Sequence, residues 1–203
     1  MIHHRLKSVV VALMVTVASC GGGELSVTEY VEEVNTIVER ASQRYEAIAS
    51  DGRGAVLVAR GVRLADFTPQ DLSEAFHQVR ELEAELEKAI GEIEPPAQIA
   101  EMHELMFDFD DGFFAAQEAM TERARTAVSW SELSASPEME AYRAALSKDK
   151  RECEETEAEL NAIAEQREAF ADTPWVPGEL KGVFEAVLGC SGYPEHPEDA
   201  YRP

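Results

Sequence analysis

Residues 68–96 read TPQDLSEAFHQVRELEAELEKAIGEIEPP, and their apolar side chains recur every three or four positions. This spacing places those side chains on one face of an α-helix. They are Leu72, Phe76, Val79, Leu82, Leu86, Ile90 and Ile93. Thr68 followed by Pro69 is typical of a helix N-terminus, and the pair Pro95 and Pro96 is typical of a break after a helix. The stretch therefore predicts one long amphipathic helix whose apolar face needs packing partners.

The same periodicity occurs on both sides of this helix. Ser26 and Glu29 have the spacing of a capping box, and Ser136 before Pro137 is a second helix start. Further long helices are expected at about 27–50, 97–130 and 137–172, with a short one at about 178–188. Short links between long helices favour antiparallel neighbours. The sequence thus predicts an all-α fold, an antiparallel up-down bundle of four long helices plus a short C-terminal helix.

Residues 52–67 do not fit this pattern. They contain β-branched side chains and three positive charges, at Arg53, Arg60 and Arg63. A short helix, an extended segment and a loop packed on the bundle all stay open for this connector.

The charge of the chain restricts its partners. Among 203 residues there are 40 acidic and 18 basic side chains, which gives a net charge of −22. Nucleic-acid binding depends on clustered Lys and Arg that face phosphates, and no such run occurs. A partner attracted by charge would be cationic, for example a basic protein, although the charge also serves simple solubility.

The N-terminus has the organisation of a secretion signal. Arg5 and Lys7 form a positive start, and residues 8–18 form an apolar run too short to span a bilayer comfortably. Val17-Ala18-Ser19-Cys20 then resembles the lipobox of bacterial lipoproteins. That resemblance implies removal of residues 1–19, lipidation of Cys20 and attachment to the membrane through the lipid. An ordinary cleaved signal with a chance cysteine, or a transmembrane anchor, is the alternative interpretation.

Four segments follow from this interpretation. They are a signal peptide at 1–19, the lipidated cysteine with a flexible glycine tether at 20–25, the helical domain at 26–190, and a mobile Pro-rich tail at 191–203. The expected location is the outer face of the bacterial membrane, or the outer membrane of a two-membrane cell. Two cysteines remain in the exported part, Cys153 and Cys190, and an even number predicts a disulfide bridge. Free thiols or an intermolecular link are the other options.

Potential metal ligands are present but poorly arranged. Glu74 and His77 form one Glu-x-x-His unit on the outer face of a helix, whereas di-iron bundles use two units that point inward. His103, between Glu101 and Glu104, is expected in a surface ion pair. Residues 108–112 match a calcium loop poorly. The sequence therefore predicts neither a metal nor a cofactor.

Two other groups of side chains need an explanation. Asp149, Arg123 and Arg167 lie on or beside inward faces, so we expect an exposed stretch near the disulfide or an Arg–Asp149 pair. Phe107 and Phe114 lie on one side of their helix, away from its apolar stripe. Either another segment of the chain covers them, or they form an interface for a partner or a second copy.

No phosphate loop and no nucleophile–base arrangement is recognisable, so we do not expect an enzyme. The break Ile93-Glu94-Pro95-Pro96 and the late cysteine pair resemble uncharacterised acidic, all-helical lipoprotein ectodomains. The main hypothesis is a non-enzymatic, tethered module that binds a partner or ligand in the cell envelope. The alternative is a metal- or solute-binding lipoprotein that delivers cargo to a transporter. The sequence leaves the partner and the oligomeric state open.

Overall fold

The computed structural model describes residues 25–50, 64–106, 111–165, 170, 176–188 and 190–203, and these contain no β-strand. The predicted all-α fold is therefore confirmed. The α-helices are α1 Val27–Ser50, α2 Pro69–Gly91, α3 Ala100–Leu105, α4 Asp111–Thr126, α5 Trp130–Ser134, α6 Pro137–Ala164 and α7 Val176–Leu188. Turns of 3₁₀ helix occur at Leu64–Asp66, Ala97–Ile99, Cys190–Gly192 and Pro197–Asp199.

The helix starts agree with their sequence signals. The Ser26 backbone N–H donates to the Glu29 carboxylate at 2.9 Å, and the Glu29 N–H donates back to Ser26 Oγ at 3.2 Å. Thr68 and Asp71 form the same reciprocal arrangement at α2. Ser136 Oγ accepts the Met139 N–H at the start of α6. Each cap satisfies backbone donors that a helix N-terminus leaves unpaired.

The predicted long third helix is wrong in its extent. The chain forms α3 and α4 as separate described elements, and α4 ends at Thr126. Ser129 then caps a new short helix, because its Oγ accepts the N–H of Glu132 at 3.2 Å. The predicted fourth helix is also shorter than expected and ends at Ala164.

The helices enclose two hydrophobic cores. Helices α1, α2, α4, α6 and α7 are packed in sequence around a ring, with α7 in contact with both α6 and α1. The first core joins the beginning of α1, the end of α2, α3, the later half of α6 and α7. The second joins the beginning of α2, the end of α4, α5 and the first half of α6. Helices α2 and α6 both line the two cores.

The cysteines link α6 to the C-terminal end of the chain. The sulfur atoms of Cys153 and Cys190 lie 2.02 Å apart, at disulfide distance, as the cysteine count predicts. Both residues are buried in the first core. The bridge fixes the point at which the chain leaves α7 and returns along α6.

The expected mobile tail at 191–203 is instead packed on the domain. We call residues 190–203 the C-terminal strap. Lys150 Nζ donates to the carbonyl oxygens of Pro194 and Glu195, each at 3.2 Å. Arg143 Nε donates to the carbonyl of Ala200 at 2.8 Å. The helical domain therefore extends beyond residue 190.

Tyr201 anchors the far end of the strap. Its ring is 7 % exposed, stacks on Trp130 with centroids 6.1 Å apart, and meets Phe76 edge-on at 6.3 Å. Its φ of 54° lies in the left-handed region, which is unfavourable for a bulky side chain. Burial of the ring offsets that backbone cost, since an aromatic side chain removes a large apolar area from water.

We expect Tyr201→Ala to lower the free energy of unfolding by about 3 kcal/mol. The alanine keeps the unfavourable φ and loses the buried ring, so nothing offsets the strain. Tyr45→Ala is the matched control, because Tyr45 is 41 % exposed, and it should cost less than about 1 kcal/mol. Urea unfolding followed by circular dichroism measures both values. Equal losses in the two variants would contradict the anchoring role of Tyr201.

The double variant Cys153→Ser, Cys190→Ser should also be less stable. The bridge closes a loop with a sequence separation of 37 residues. For such a loop the chain-entropy model gives about 4 kcal/mol. A reducing agent should shift the unfolding midpoint of the wild-type protein and leave that of the double variant unchanged. A wild-type midpoint that does not respond to reduction would argue against the bridge as a stabilising element.

Candidate functional site

A surface cavity lies where α5, the beginning of α6 and the strap meet. Its volume is about 400 Å³, within the range of small-molecule sites. Its lining combines seven polar or charged residues with two alanines, and they come from α5 and the following turn, from α6 and from the strap: Ser134, Ala135, Ser136, Glu140, Arg143, Ala144, Ser147, Glu198 and Arg202. We call this the strap cavity.

Arg143 forms the inner wall of the strap cavity and also holds it together. Besides Ala200, it donates to the Ser134 carbonyl at 3.1 Å through one terminal nitrogen and to Ser134 Oγ at 2.8 Å through the other. A guanidinium has five N–H groups, so two remain for a ligand. Burial, and next the positive charge of Arg202, lower the pKa of Arg143. An arginine nevertheless keeps its charge at any physiological pH.

The strap supplies a charge of each sign. Arg202 pairs with Asp199 through one terminal nitrogen at 2.6 Å, and its side chain is 60 % exposed. Glu198 lies 3.3 Å from His196 through one carboxylate oxygen. Its own backbone N–H holds the pKa of Glu198 below the usual range. Both side chains thus retain polar atoms that face solvent at the cavity.

Helix α6 and the preceding turn complete the lining. Glu140 lies in the first turn of α6, where its charge is favourable. Ser134 Oγ and Ser136 Oγ each accept a hydrogen bond, from Arg143 and from the Met139 N–H, which leaves each hydroxyl proton as a donor. The lining can therefore bind positive and negative groups at once.

His103 is buried, and not on the surface as the expected ion pair with its glutamate neighbours required. It is 8 % exposed, and its Nδ1 lies 2.8 Å from the hydroxyl of Tyr30 on α1. The two rings meet edge-on with centroids 5.7 Å apart. Burial lowers the pKa of His103 from its ordinary value of 6.5, against the opposite effect of Glu104. The pair is a buried polar link between α1 and α3.

The inward charges also find partners other than those expected. Asp149 accepts a hydrogen bond from the hydroxyl of Tyr193 on the strap. Arg123 pairs with Glu132 across the turn between α4 and α5. Arg167 lies outside the described residues. Burial raises the pKa of Glu83, a further carboxyl group in electrostatic contact with Asp149.

The candidate interface consists of Phe107 and Phe114, and the structure describes Phe114. Phe114 is half-buried, and its ring lies 3.9 Å below the guanidinium carbon of Arg80 on α2. Phe113 contacts it with ring centroids 5.6 Å apart. An internal side chain therefore covers at least part of Phe114. Phe107 lies outside the described residues, as do Cys20 and the acidic residues 108 and 110.

The remaining metal-ligand candidates lie apart from one another. Glu74 and His77 are exposed on α2, and His77 pairs with Glu81 at 3.6 Å. In the part of the chain that the structure describes, no three His, Cys, Asp or Glu side chains are grouped to hold a metal ion. Among the described helices, none has the length and apolar character of a membrane-spanning segment.

Comparisons with protein-family models, with curated proteins and with solved structures found no match for this chain.

The sequence analysis did not identify Arg143 or Arg202 as candidate site residues. Arg143 follows the inward-facing Tyr142 and has no motif around it. The one available signal was Tyr201, an aromatic residue in a polar tail, whose burial brings Arg202 to α6.

The buried histidine predicts a pH dependence of stability. Because burial lowers its pKa, the unfolded chain binds this proton more readily than the folded chain does. The free energy of unfolding should therefore fall as pH drops below about 6.5. His103→Gln should remove this component, whereas His77→Gln, at an exposed position, should retain it. Urea midpoints at pH 5.5 and 7.5 measure the difference. An unchanged pH dependence in His103→Gln would refute the assignment.

Proposed function

We propose that this protein is a non-enzymatic binding module, tethered by a lipid on Cys20 to the outer face of a bacterial membrane. Two independent features support this place of action. The leader ends in Val17-Ala18-Ser19-Cys20, which has the order of a lipobox. The paired Cys153 and Cys190 suit an oxidising compartment outside the cytoplasm.

The single observation that carries the binding role is the strap cavity. It has the volume of a small-molecule site, and its charged side chains come from α6 and from the strap, more than fifty residues apart in sequence. The chain has 18 basic and 40 acidic side chains, and two of the basic ones, Arg143 and Arg202, line this cavity. Solubility alone does not require two basic side chains at one place. This favours a module that binds a soluble ligand.

Binding without catalysis fits the chemistry of the lining. The described residues around the cavity include serine hydroxyls, and the carboxylates of Glu140 and Glu198 are the lining groups that could act as a base. Ser134 Oγ is bonded to a guanidinium and Ser136 Oγ to a backbone N–H, so neither is activated as a nucleophile. The groups present are suited to holding charges.

The acidic surface would select what approaches the tethered domain. A net charge of −22 repels polyanions and attracts cationic molecules over about a Debye length, roughly 8 Å at physiological ionic strength. A basic protein is thus a second class of partner for the outer surface. Delivery of a cavity-bound solute to a transporter is the more specific version of the same proposal.

Cell fractionation with intact mass measurement tests the tether. Wild-type protein extracted from membranes should lack residues 1–19 and carry the mass of acyl chains on Cys20. Cys20→Ala should lose membrane attachment, whereas Cys153→Ala, which leaves the leader unchanged, should retain it. Membrane attachment that survives Cys20→Ala, or a product that keeps residues 1–19, would contradict the proposal.

A further inference from the structure

We infer that the strap cavity binds a small zwitterion, a molecule that carries one carboxylate and one ammonium group, such as a free amino acid or a short peptide. The inference rests on the proposed binding function and names its ligand class. Four charged side chains in the lining carry it. Arg143 and Arg202 supply two positive charges, and Glu140 and Glu198 supply two negative ones.

The positive pair suits a carboxylate. Both guanidiniums line the same cavity, Arg143 from α6 and Arg202 from the strap. Arg143 is held rigidly through three hydrogen bonds to Ala200 and Ser134, so its two remaining N–H groups are already oriented. Each of the two remaining N–H groups can donate one charge-assisted hydrogen bond to a carboxylate oxygen.

The negative pair suits an ammonium group. Glu198 has one oxygen near His196, which leaves the other for a ligand. Glu140 lies in the first turn of α6 and lines the cavity together with Glu198, which belongs to the strap. An ammonium group donates three hydrogen bonds, and carboxylate oxygens are its usual acceptors.

Other ligand classes fit the same lining less well. Inorganic phosphate would be repelled by Glu140, Glu198 and the strongly acidic chain around them. A divalent cation would be repelled by the two arginines at the same place. An apolar molecule would leave polar side chains without partners, and burying such groups unpaired is costly. A zwitterion satisfies both pairs of charges together.

The volume agrees with this class. About 400 Å³ lies near the lower end of the range for small-molecule sites, which extends to roughly 1,000 Å³. A free amino acid or a dipeptide occupies such a space, whereas a folded partner does not. The ligand would touch α6 and the strap at once, so binding should also stabilise the strap.

Three related probes separate the charges. Diglycine is a zwitterion, N-acetyl-diglycine has only the carboxylate, and diglycine amide has only the ammonium group. Calorimetric titration of the full chain in detergent at pH 7 should give an affinity for diglycine at least ten-fold above that for either derivative. Saturating diglycine should also raise the thermal midpoint.

Two single variants test which side chains bind the carboxylate and the ammonium group of the ligand. In Arg202→Gln, the preference for diglycine over diglycine amide should shrink, because the carboxylate keeps only Arg143 of its two partners. In Glu198→Gln, the preference for diglycine over N-acetyl-diglycine should shrink, because the ammonium group keeps only Glu140 of its two partners. Arg125→Gln is the matched control, since Arg125 pairs with Glu122 on α4 and does not line the cavity. It should bind all three probes as the wild-type protein does.

The possible results separate the ligand class from the binding function. If N-acetyl-diglycine or diglycine amide binds best and a cavity variant abolishes it, the binding role stands and the zwitterion inference is overturned. If no probe binds, or if Arg202→Gln and Glu198→Gln bind diglycine like Arg125→Gln, the strap cavity is not the site and both statements about it fall. The attachment of Cys20 is measured separately and is unaffected by either result.

Discussion

The Cys153–Cys190 bridge sets where the last fourteen residues lie, and both the second core and the cavity depend on that placement. From the bridge the strap follows α6 backwards, with Tyr193 at Asp149 and Ala200 at Arg143. Ten residues of α6 measure about 15 Å, whereas ten extended residues would reach about 33 Å. The strap uses the excess length in its two 3₁₀ turns, Cys190–Gly192 and Pro197–Asp199. Contacts at both ends therefore keep it in register.

Features that depend on a few neighbouring residues could be predicted from the sequence. The helix starts at Ser26, Thr68 and Ser136 follow from side chains three positions from their backbone partners. The apolar stripe of α2 follows from spacing alone, and most of its members are buried. The cysteine pair follows from counting. Each of these inferences needed no knowledge of which helix packs on which.

The predictions that were wrong concern features that depend on contacts between residues distant in sequence. His103 was placed beside glutamates because its own helix is all that the sequence shows, but Tyr30 lies 73 positions away. The strap has the composition of a mobile tail, since it is polar and rich in proline. Its order comes from Arg143, Lys150 and an aromatic cluster in other helices. The cavity was unpredictable for the same reason, because its walls are distant in sequence.

The proposed binding function would couple ligand binding to stability at Arg143. The same guanidinium holds the Ala200 carbonyl and lines the cavity, so a ligand carboxylate would add to a contact that already keeps the strap in place. A ligand that binds only the folded chain raises its stability by RT ln(1 + [L]/Kd), about 2.7 kcal/mol at a hundred-fold excess over Kd. The left-handed backbone at Tyr201 makes the end of the strap more costly to hold than an ordinary helix end. Occupancy of the cavity should therefore stabilise the strap more strongly than the first core, which shares neither Arg143 nor Tyr201.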